Sequence, residues 1–377
     1  MRDSEADGRE AERPAGFPFD ARYYVGVLLE YTLTAALLAA FHFSGASARL
    51  AAGAGRWSGN RWWLTHAIYL AVTLLGVAAS VFPVHCARAR RLAAALGGAD
   101  GGTAGWGWLY ARAVAGDAAL TFAFFNAIYA LLRWTPHRWW IPAAALYAGF
   151  AVVAPAVLPW LVQPRLYQPR PWGDSDRERR LRALAERVGH PIARIGVWEE
   201  ADSVHFPPVL LAGRSRDTLL LGAPLATVFP AEETEALAAR EFGRVRQRQV
   251  LAGIVLGTFL SGAAFAAVHY AGSAALRRLG PRPITDARDI AGFPLLALAI
   301  MAASGVALPA LRALRRAQIF AADAFAARAT SAAALESALR RLEGDAPPPP
   351  RWVEWLFGEQ PALSRRIRRL LARAASR

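Results

Sequence analysis

Long apolar stretches alternate with polar, arginine-rich segments along the chain. The apolar stretches lie near residues 23–43, 62–84, 114–132, 140–162, 250–271 and 290–311. Each is long enough, as a helix, to cross the roughly 30 Å hydrocarbon core of a bilayer. The pattern therefore predicts an α-helical polytopic membrane protein with about six transmembrane helices.

The polar segment between the fourth and fifth stretches has the periodicities of a small α+β domain. Asp174 and Ser175 suit a helix N-cap, and the apolar residues behind them recur at helical spacing, at Leu181, Leu184, Ala185 and Val188. Short apolar runs at 195–198, 209–211 and 218–221 indicate strands. A further helix is predicted over 232–248, and its pattern allows it to run on into the fifth span.

The same patterns divide the chain into five parts. The predicted parts are a tail at 1–22, a four-helix membrane region at 23–163, a small α+β domain at 164–248, two further spans at 249–311, and a helical part at 312–377 that completes this domain. In the last part Ser331 suits a helix cap. The basic helix over 361–377 has Ile367, Leu370 and Leu371 on one side, and we expect it to pack on its own domain rather than on an anionic membrane surface.

Composition supports a membrane protein and indicates its orientation. Of the 377 residues, 55% are hydrophobic, and the net charge of +15 comes from arginine without any lysine. The arginines concentrate before residue 23, between 86 and 112, after 164 and after 312, which are alternate loops. This positive-inside pattern predicts that both termini are cytoplasmic, and it explains the charge without a nucleic-acid partner. The use of arginine in place of lysine, with frequent alanine, is typical of a GC-rich genome and indicates a bacterial inner membrane protein. Cys86 is the only cysteine, so no thiolate cluster can hold a metal.

One short motif resembles a metal site that has lost its ligands. Residues Arg240, Glu241, Phe242, Gly243 and Arg244 stand where a zinc protease has H-E-x-x-H. In that motif one helix face presents two imidazoles to zinc, and the Glu acts as general base. A guanidinium has no lone pair to donate, so neither arginine can replace a histidine.

Several segments in a fixed order resemble one known family. They are the P-W-L-V-Q-P-R-L-Y segment at 159–167, the helix ending at Gly189, the motif helix at 232–248, the A-D-A-F-A segment at 322–326, and Gln360-Pro361 followed by Arg366. In these segments the chain resembles the type I CAAX prenyl proteases. These are integral-membrane zinc metallopeptidases that clip C-terminal tripeptides from prenylated substrates or degrade membrane proteins.

The resemblance implies that every zinc ligand is missing. The family's third ligand is a Glu four residues before the Asp of A-D-x-F-A, and Ile319 stands at that position. Gln360 replaces an active-site His, and the Asn-Ala pair of the family's substrate edge is absent from 203–213. We therefore predict no zinc cofactor. Glu241 is a vestigial general base that we expect in an ion pair with an arginine, and Asp323 is expected to pair with Arg240 or Arg244.

Three functions from different classes remain open. The favoured one is a catalytically inactive homologue that acts as a membrane scaffold or as a peptide- or protein-binding factor. The alternative is an active membrane metallopeptidase with an unrecognised ligand set, although the seven histidines show no ligand spacing. A third is proton or ion transport through Glu30 and Asp117, which fall inside predicted spans, although no matching cationic relay appears in the sequence. Arg240 and Arg244 could also bind a peptide carboxylate.

Overall fold

The chain forms two compact units. The computed structural model describes residues 21–95, 103–162, 170–198, 208–212, 217–279, 284, 286, 288–343, 350–358 and 360–375. One unit, here the helical unit, comprises Ala21–Val157 and Ala252–Arg312. The other, here the α+β unit, comprises Leu158–Leu251 and Ala313–Arg377.

The elements follow one another as long helices, a small sheet and further helices. The first part contains α1 (Ala21–Phe43), α2 (Ala46–Trp57), α3 (Trp62–Ala95), α4 (Thr103–Trp134) and α5 (Trp140–Val162). The middle contains β1 (Arg170–Pro171), α6 (Ser175–Arg187), β2 (Arg194–Trp198), β3 (Val209–Ala212), β4 (Thr218–Gly222), α7 (Ala223–Thr227) and α8 (Ala231–Arg246). The last part contains α9 (Gln249–Arg278), a 3₁₀ turn (Ile290–Gly292), α10 (Phe293–Ala329), α11 (Ala332–Glu343), α12 (Arg351–Leu356) and α13 (Leu363–Ala375).

Several helices are suited to a membrane. Within the described residues, four are long and apolar enough to cross a bilayer, at Tyr23–Phe43, Trp62–Arg90, Gln249–Ala271 and Ile290–Ala329. The two other predicted spans coincide with shorter described apolar helices, at Ala118–Trp134 and Trp140–Val152. The protein is thus a mostly helical membrane protein, and the count of six spans stays a prediction.

Two local features differ from the sequence prediction. Residues between the first two spans form the amphipathic helix α2, which follows a turn at Gly45 with φ of 73°. The motif helix α8 does not run on into the next span. It ends at Arg246, Arg248 adopts a left-handed conformation with φ of 49°, and α9 begins anew at Gln249.

Buried aromatic residues and a small hydrogen-bond network hold the helical unit together. Tyr69 and Phe293 are fully buried, and their rings meet edge to face at 6.1 Å between centroids. The Ser47 hydroxyl lies 2.7 Å from the Tyr69 hydroxyl and donates to the carbonyl of Ala291 at 2.7 Å. Buried hydroxyls without partners would cost free energy, so this network fixes α2 against α3 and the 3₁₀ turn.

The α+β unit is built around a four-stranded sheet of order β1-β2-β4-β3. Strands β2 and β4 are parallel, and β3 pairs with β4 in antiparallel fashion. These three strands confirm the predicted apolar runs, whereas the two-residue β1 was not predicted. Predicted caps are also confirmed, because Asp174 accepts from the Arg177 amide at 3.1 Å and Ser331 accepts from the Ala334 amide at 3.4 Å.

The C-terminal helix α13 packs on the α+β unit, as predicted. Ile367 and Leu370 are buried, and Leu370 joins the core that contains Leu181, Leu184 and Leu219. Leu371 was expected on the same face, but half of its surface is exposed. Because residues 370 and 371 differ by about 100° around a helix, only one of them can point directly at the core.

Candidate functional site

The motif helix α8 and helix α10 approach each other closely at one glycine. A Cβ atom added to Gly243 would lie 2.7 Å from Cδ1 of Phe325 and 3.0 Å from its Cβ. Real Cβ contacts are not this short, so the closeness of the two helices depends on the absence of a side chain. This packing brings the R-E-F-G-R segment next to the A-D-A-F-A segment.

Asp323 on α10 is held by an arginine from the C-terminal helix. Arg366 donates from Nε to Oδ2 at 2.8 Å and from Nη2 to Oδ1 at 3.0 Å. Only 1% of the Arg366 side chain and 3% of the Asp323 side chain are exposed. Two parallel charge-assisted bonds of this kind fix both the distance and the plane of the partners.

Arg240 on α8 also contacts Asp323, as the sequence analysis expected. Its Nε lies 3.0 Å from Oδ1, but the N–H is not aligned for a hydrogen bond with any described residue. Desolvation, and next the repulsion from Arg366, lower the pKa of Arg240 to about 10 against the attraction of Asp323. The guanidinium is still charged at neutral pH. Arg240, Asp323 and Arg366 are together called the ion-pair cluster below.

Glu241, the residue after Arg240 on α8, forms a separate ion pair with Arg244, which lies one turn further along the helix. Arg244 donates from Nη1 to Oε2 of Glu241 at 2.8 Å, which confirms the expected pairing of this carboxylate with an arginine. The Glu241 side chain is 10% exposed, and that of Arg244 is 34% exposed. The carboxylate that resembles a general base therefore already has a cationic partner.

The position of the family's third ligand lies on α10, one turn before Asp323. Ile319 is partly buried there, on the helix face that carries Asp323. Its neighbour Gln318 exchanges hydrogen bonds with Gln249, because each side-chain amide donates to the other residue's carbonyl, at 2.8 and 2.9 Å. This reciprocal pair was not predicted, and it ties the start of α9 to α10.

The other positions implied by the resemblance are either exposed or lie outside the described residues. Gln360 is exposed in the turn before α13. The described residues include only Pro208 to Ala212 of the 203–213 segment, so Phe206 and Pro207 lie outside them. Residues 163–167 of the P-W-L-V-Q-P-R-L-Y segment also lie outside.

The side chains at the motif positions do not fit a zinc ion. Zinc takes imidazole, thiolate or carboxylate ligands, and the guanidiniums of Arg240 and Arg244 and the alkyl chain of Ile319 offer none. Asp323 is already held by Arg366 and Arg240. Within the described part of the chain, no three His, Cys, Asp or Glu side chains form a group that could hold a metal ion.

The helical unit contains a second charged cluster, around Glu30 on α1. Arg88 on α3 donates to Glu30 from Nε at 2.8 Å and from Nη2 at 3.0 Å, and it donates to the Tyr23 hydroxyl at 2.8 Å. His85 Nδ1 lies 3.3 Å from the same carboxylate. No matching cationic relay was expected from the sequence, and the structure pairs Glu30 with a single arginine from another helix. The side chain of Asp117 lies outside the described residues.

A helical membrane unit combined with this α+β unit defines a protein of the membrane metallopeptidase type. The sequence profile described as Peptidase family M48 matches residues 219–374, from β4 to α13. The match covers the C-terminal part of the chain, and the resemblance found in the motifs is confirmed.

One solved structure shows the same fold over most of the chain. The crystal structure of S. mikatae Ste24p superposes with a TM-score of 0.63 at 15% sequence identity, and it covers 81% of this chain and 76% of that chain. At this identity the likeness concerns the fold. No curated protein matches the chain in sequence.

Proposed function

We propose that this protein is a catalytically inactive membrane metallopeptidase homologue that binds peptides or membrane-protein segments as a scaffold. The observation that carries the proposal is the ion-pair cluster. Asp323 belongs to the metal-supporting segment of the resembled family, and here two guanidiniums hold it. The arginine distribution further favours termini in the cytoplasm, and the use of arginine in place of lysine favours a bacterial inner membrane location.

The chemistry of the motif helix supports inactivity. Hydrolysis by this class needs zinc to lower the pKa of water from about 15.7 to about 7. Arg240, Arg244 and Ile319 supply no metal ligand, and Glu241 is bound to Arg244 at 2.8 Å.

The sheet supports peptide binding. Strand β3 pairs with β4 on one side and ends the sheet on the other among the described residues. Its residues alternate between buried Val209 and Leu211 and half-buried Leu210 and Ala212. An edge strand offers unpaired backbone groups to an extended peptide, and this mode of recognition needs no catalytic group.

The zinc content of the purified, detergent-solubilised protein tests the proposal. We expect elemental mass spectrometry to find no zinc above background, and Glu241→Ala to give the same result. Incubation with zinc should produce no cleavage of a peptide mixture. About one zinc per chain, or cleavage that Glu241→Ala abolishes, would instead establish an active metallopeptidase with a different ligand set.

A further inference from the structure

The short helix α12 presents two tryptophans to solvent. Trp352 is 40% exposed and Trp355 is 58% exposed. Among the aromatic side chains that the structure describes in the α+β unit, only these two are exposed. Tryptophan is highly buried on average in folded proteins, because it has a large apolar surface. Two exposed tryptophans one turn apart on the same helix therefore indicate a contact surface.

The orientation of α12 is fixed by buried contacts on its other side. Val353 and Glu354 are buried. The Glu354 carboxylate pairs with Arg365 at 3.1 Å and also accepts a backbone N–H at 3.3 Å. Successive residues are turned by about 100° around a helix, so a helix that buries Val353 and Glu354 directs Trp352 and Trp355 to the opposite side. The tryptophans thus face outward although the helix itself is firmly held.

An arginine of α10 holds α12 close to the end of an apolar run. Arg316 donates from Nη1 to three of the carbonyl groups between Glu354 and Gly358, at 2.8, 3.4 and 3.0 Å. Residues 290–311 carry no charged side chain, and Arg312 is the first charged residue after them. An α-helix rises 1.5 Å per residue, so Arg316 lies about 6 Å further along the axis of α10 than this first charge.

This distance corresponds to the headgroup layer of a bilayer. The hydrocarbon core is about 30 Å thick and the whole bilayer about 40–45 Å, which leaves roughly 5–7 Å for the headgroups on each side. Side chains of a helix tilt toward its N-terminus, and in α10 the apolar run lies in that direction. The carbonyl groups bound to Arg316 therefore lie at the depth of the headgroups when residues 290–311 span the membrane.

The charge of this region suits an anionic leaflet. Residues 350–377 contain seven arginines and two glutamates, and one of the glutamates is the buried Glu354. Arg351 is exposed at the start of α12, and Arg368 and Arg369 are exposed on α13. Basic side chains beside a membrane are attracted to anionic lipids. Tryptophan rings are enriched at the headgroup level, where one end of the ring system is in an apolar environment and the N–H is in a polar one.

We propose that the tryptophan face of α12, formed by Trp352 and Trp355, inserts into the headgroup layer of an anionic leaflet at the end of the span in α10. The exposed arginines around it bind lipid phosphates, and Arg316 sets the depth of the helix. The position favours lipid over a protein partner, because the bilayer already meets the protein at this depth. The contact is independent of peptide binding and of zinc.

Fluorescence quenching in lipid nanodiscs tests the proposal on the full-length protein. In a Cys86→Ser background, Arg351→Cys carries an NBD fluorophore beside the tryptophan face, which stays intact. The discs contain phosphatidylglycerol and a lipid with a nitroxide on its headgroup. We expect this lipid to reduce the emission of the label, and more strongly than a lipid with the nitroxide deep in its acyl chain. Replacement of both tryptophans, by Trp352→Gln with Trp355→Gln, should abolish most of the reduction.

Two other label positions serve as controls. Phe259 lies in the middle of the candidate span Gln249–Ala271 and is 70% exposed, so a label at Phe259→Cys should be quenched most by the deep nitroxide. Asp176 lies on the surface of α6 with its side chain 78% exposed, so a label at Asp176→Cys should be quenched by neither lipid. If the double tryptophan variant fails to fold, Trp355→Gln alone decides the question, since more than half of this side chain is exposed.

The possible outcomes separate the lipid contact from its alternatives. A label at position 351 that iodide quenches from the water but nitroxide lipids do not would overturn the proposal. Equal quenching by the headgroup nitroxide with and without the tryptophans would overturn their role as the anchor. Quenching should be weaker in phosphatidylcholine discs, and equal quenching there would overturn the preference for anionic lipid. A label that is shielded from iodide only in discs with two chains would identify a second copy as the occupant and overturn the lipid assignment.

Discussion

Arg366 and Asp323 form a buried two-point ion pair that joins the C-terminal helix α13 to α10. The donor to acceptor distances are 2.8 and 3.0 Å. Arg240 contacts the same carboxylate from α8, so a single aspartate connects three helices. In the zinc peptidases that this chain resembles, a metal ion joins helices at the corresponding positions. Here charged side chains join them.

Replacement of Asp323 should destabilise the protein strongly. Asp323→Asn would remove the carboxylate that Arg366 and Arg240 share, and breaking a buried ion pair in this way costs roughly 3–5 kcal/mol. We expect a clearly lower thermal unfolding midpoint in detergent, with no loss of any enzymatic activity. Asp176→Asn serves as the control, because Asp176 pairs with Arg179 on the surface of α6 and both side chains are mostly exposed. An unchanged midpoint for Asp323→Asn would show that the cluster does not hold the helices.

A methyl group at Gly243 should force α8 and α10 apart. The new Cβ would meet Phe325 at 2.7 Å, and overpacking of this kind costs about 1–3 kcal/mol. Thermal unfolding of Gly243→Ala should therefore occur at a lower temperature, and adding Phe325→Leu should restore part of the loss. Gly253→Ala in α9 is the matched control. No atom lies within 4 Å of its new Cβ, so it should be neutral or slightly stabilising.

Glycine at position 248 should stabilise the junction between α8 and α9. Arg248 has φ of 49°, a left-handed conformation that costs a residue with a Cβ about 1–2 kcal/mol. Arg248→Gly relieves this cost, and we expect a gain of roughly 1 kcal/mol in chemical unfolding experiments. Arg179→Gly, in the middle of the exposed face of α6, should lose about 1 kcal/mol. A loss in both variants would argue against strain at Arg248.

Placing zinc-ligand residues at the three motif positions should produce metal binding. The variant with Arg240→His, Arg244→His and Ile319→Glu provides three donors on the facing sides of α8 and α10, and about one zinc per chain is expected by elemental mass spectrometry. The removal of Arg240 also takes one of the two guanidiniums away from Asp323, whose carboxylate has lone pairs left to accept from an imidazole, as carboxylates do around zinc ligands. The variant with Arg340→His, Arg341→His and Ile319→Glu is the composition-matched control. Equal zinc in both variants would contradict a specific site.

The charged cluster of the helical unit should show strong coupling between its two helices. Glu30→Gln and Arg88→Gln each remove one member of the guanidinium–carboxylate pair, whereas the double variant removes both members. We therefore expect the double variant to be more stable than the sum of the single effects predicts, by about 0.5–3 kcal/mol in a double-mutant cycle. Simple additivity would show that the contacts at 2.8 and 3.0 Å contribute little. A proton or ion flux assay on the same variants tests the transport alternative.

Local features of the fold were predictable because local residues determine them. The cap at Asp174 and the helical spacing of Leu181 and Leu184 define α6 within a few residues. Strand β4 is a continuous apolar run that is buried throughout, so composition alone indicated it. Helix α2 was missed because its sequence is not apolar enough to stand out as a span, and its two glycines weaken the helical signal of the alanines.

Long-range pairings were harder to predict, and Arg366 shows why. Asp323 was expected to pair with an arginine of the motif helix, yet its closest partner follows 43 residues later. A signal was present in the spacing. Leu363, Arg366, Ile367 and Leu370 lie at i, i+3, i+4 and i+7, so the helical pattern placed this arginine on the buried face. A charged residue on such a face requires a buried partner, and Asp323 was a candidate.

The ion-pair cluster needs nothing from outside the polypeptide to form. A metal-bridged site matures only when a cell can supply the ion, and a chelator can take the ion away again. Asp323, Arg366 and Arg240 are encoded in the chain, so this junction is complete as soon as the helices have docked. With Asp323 and Arg366 at most 3% exposed, dissolved salt also screens their attraction only slightly. The three helices should therefore stay joined during zinc starvation and in chelating buffers.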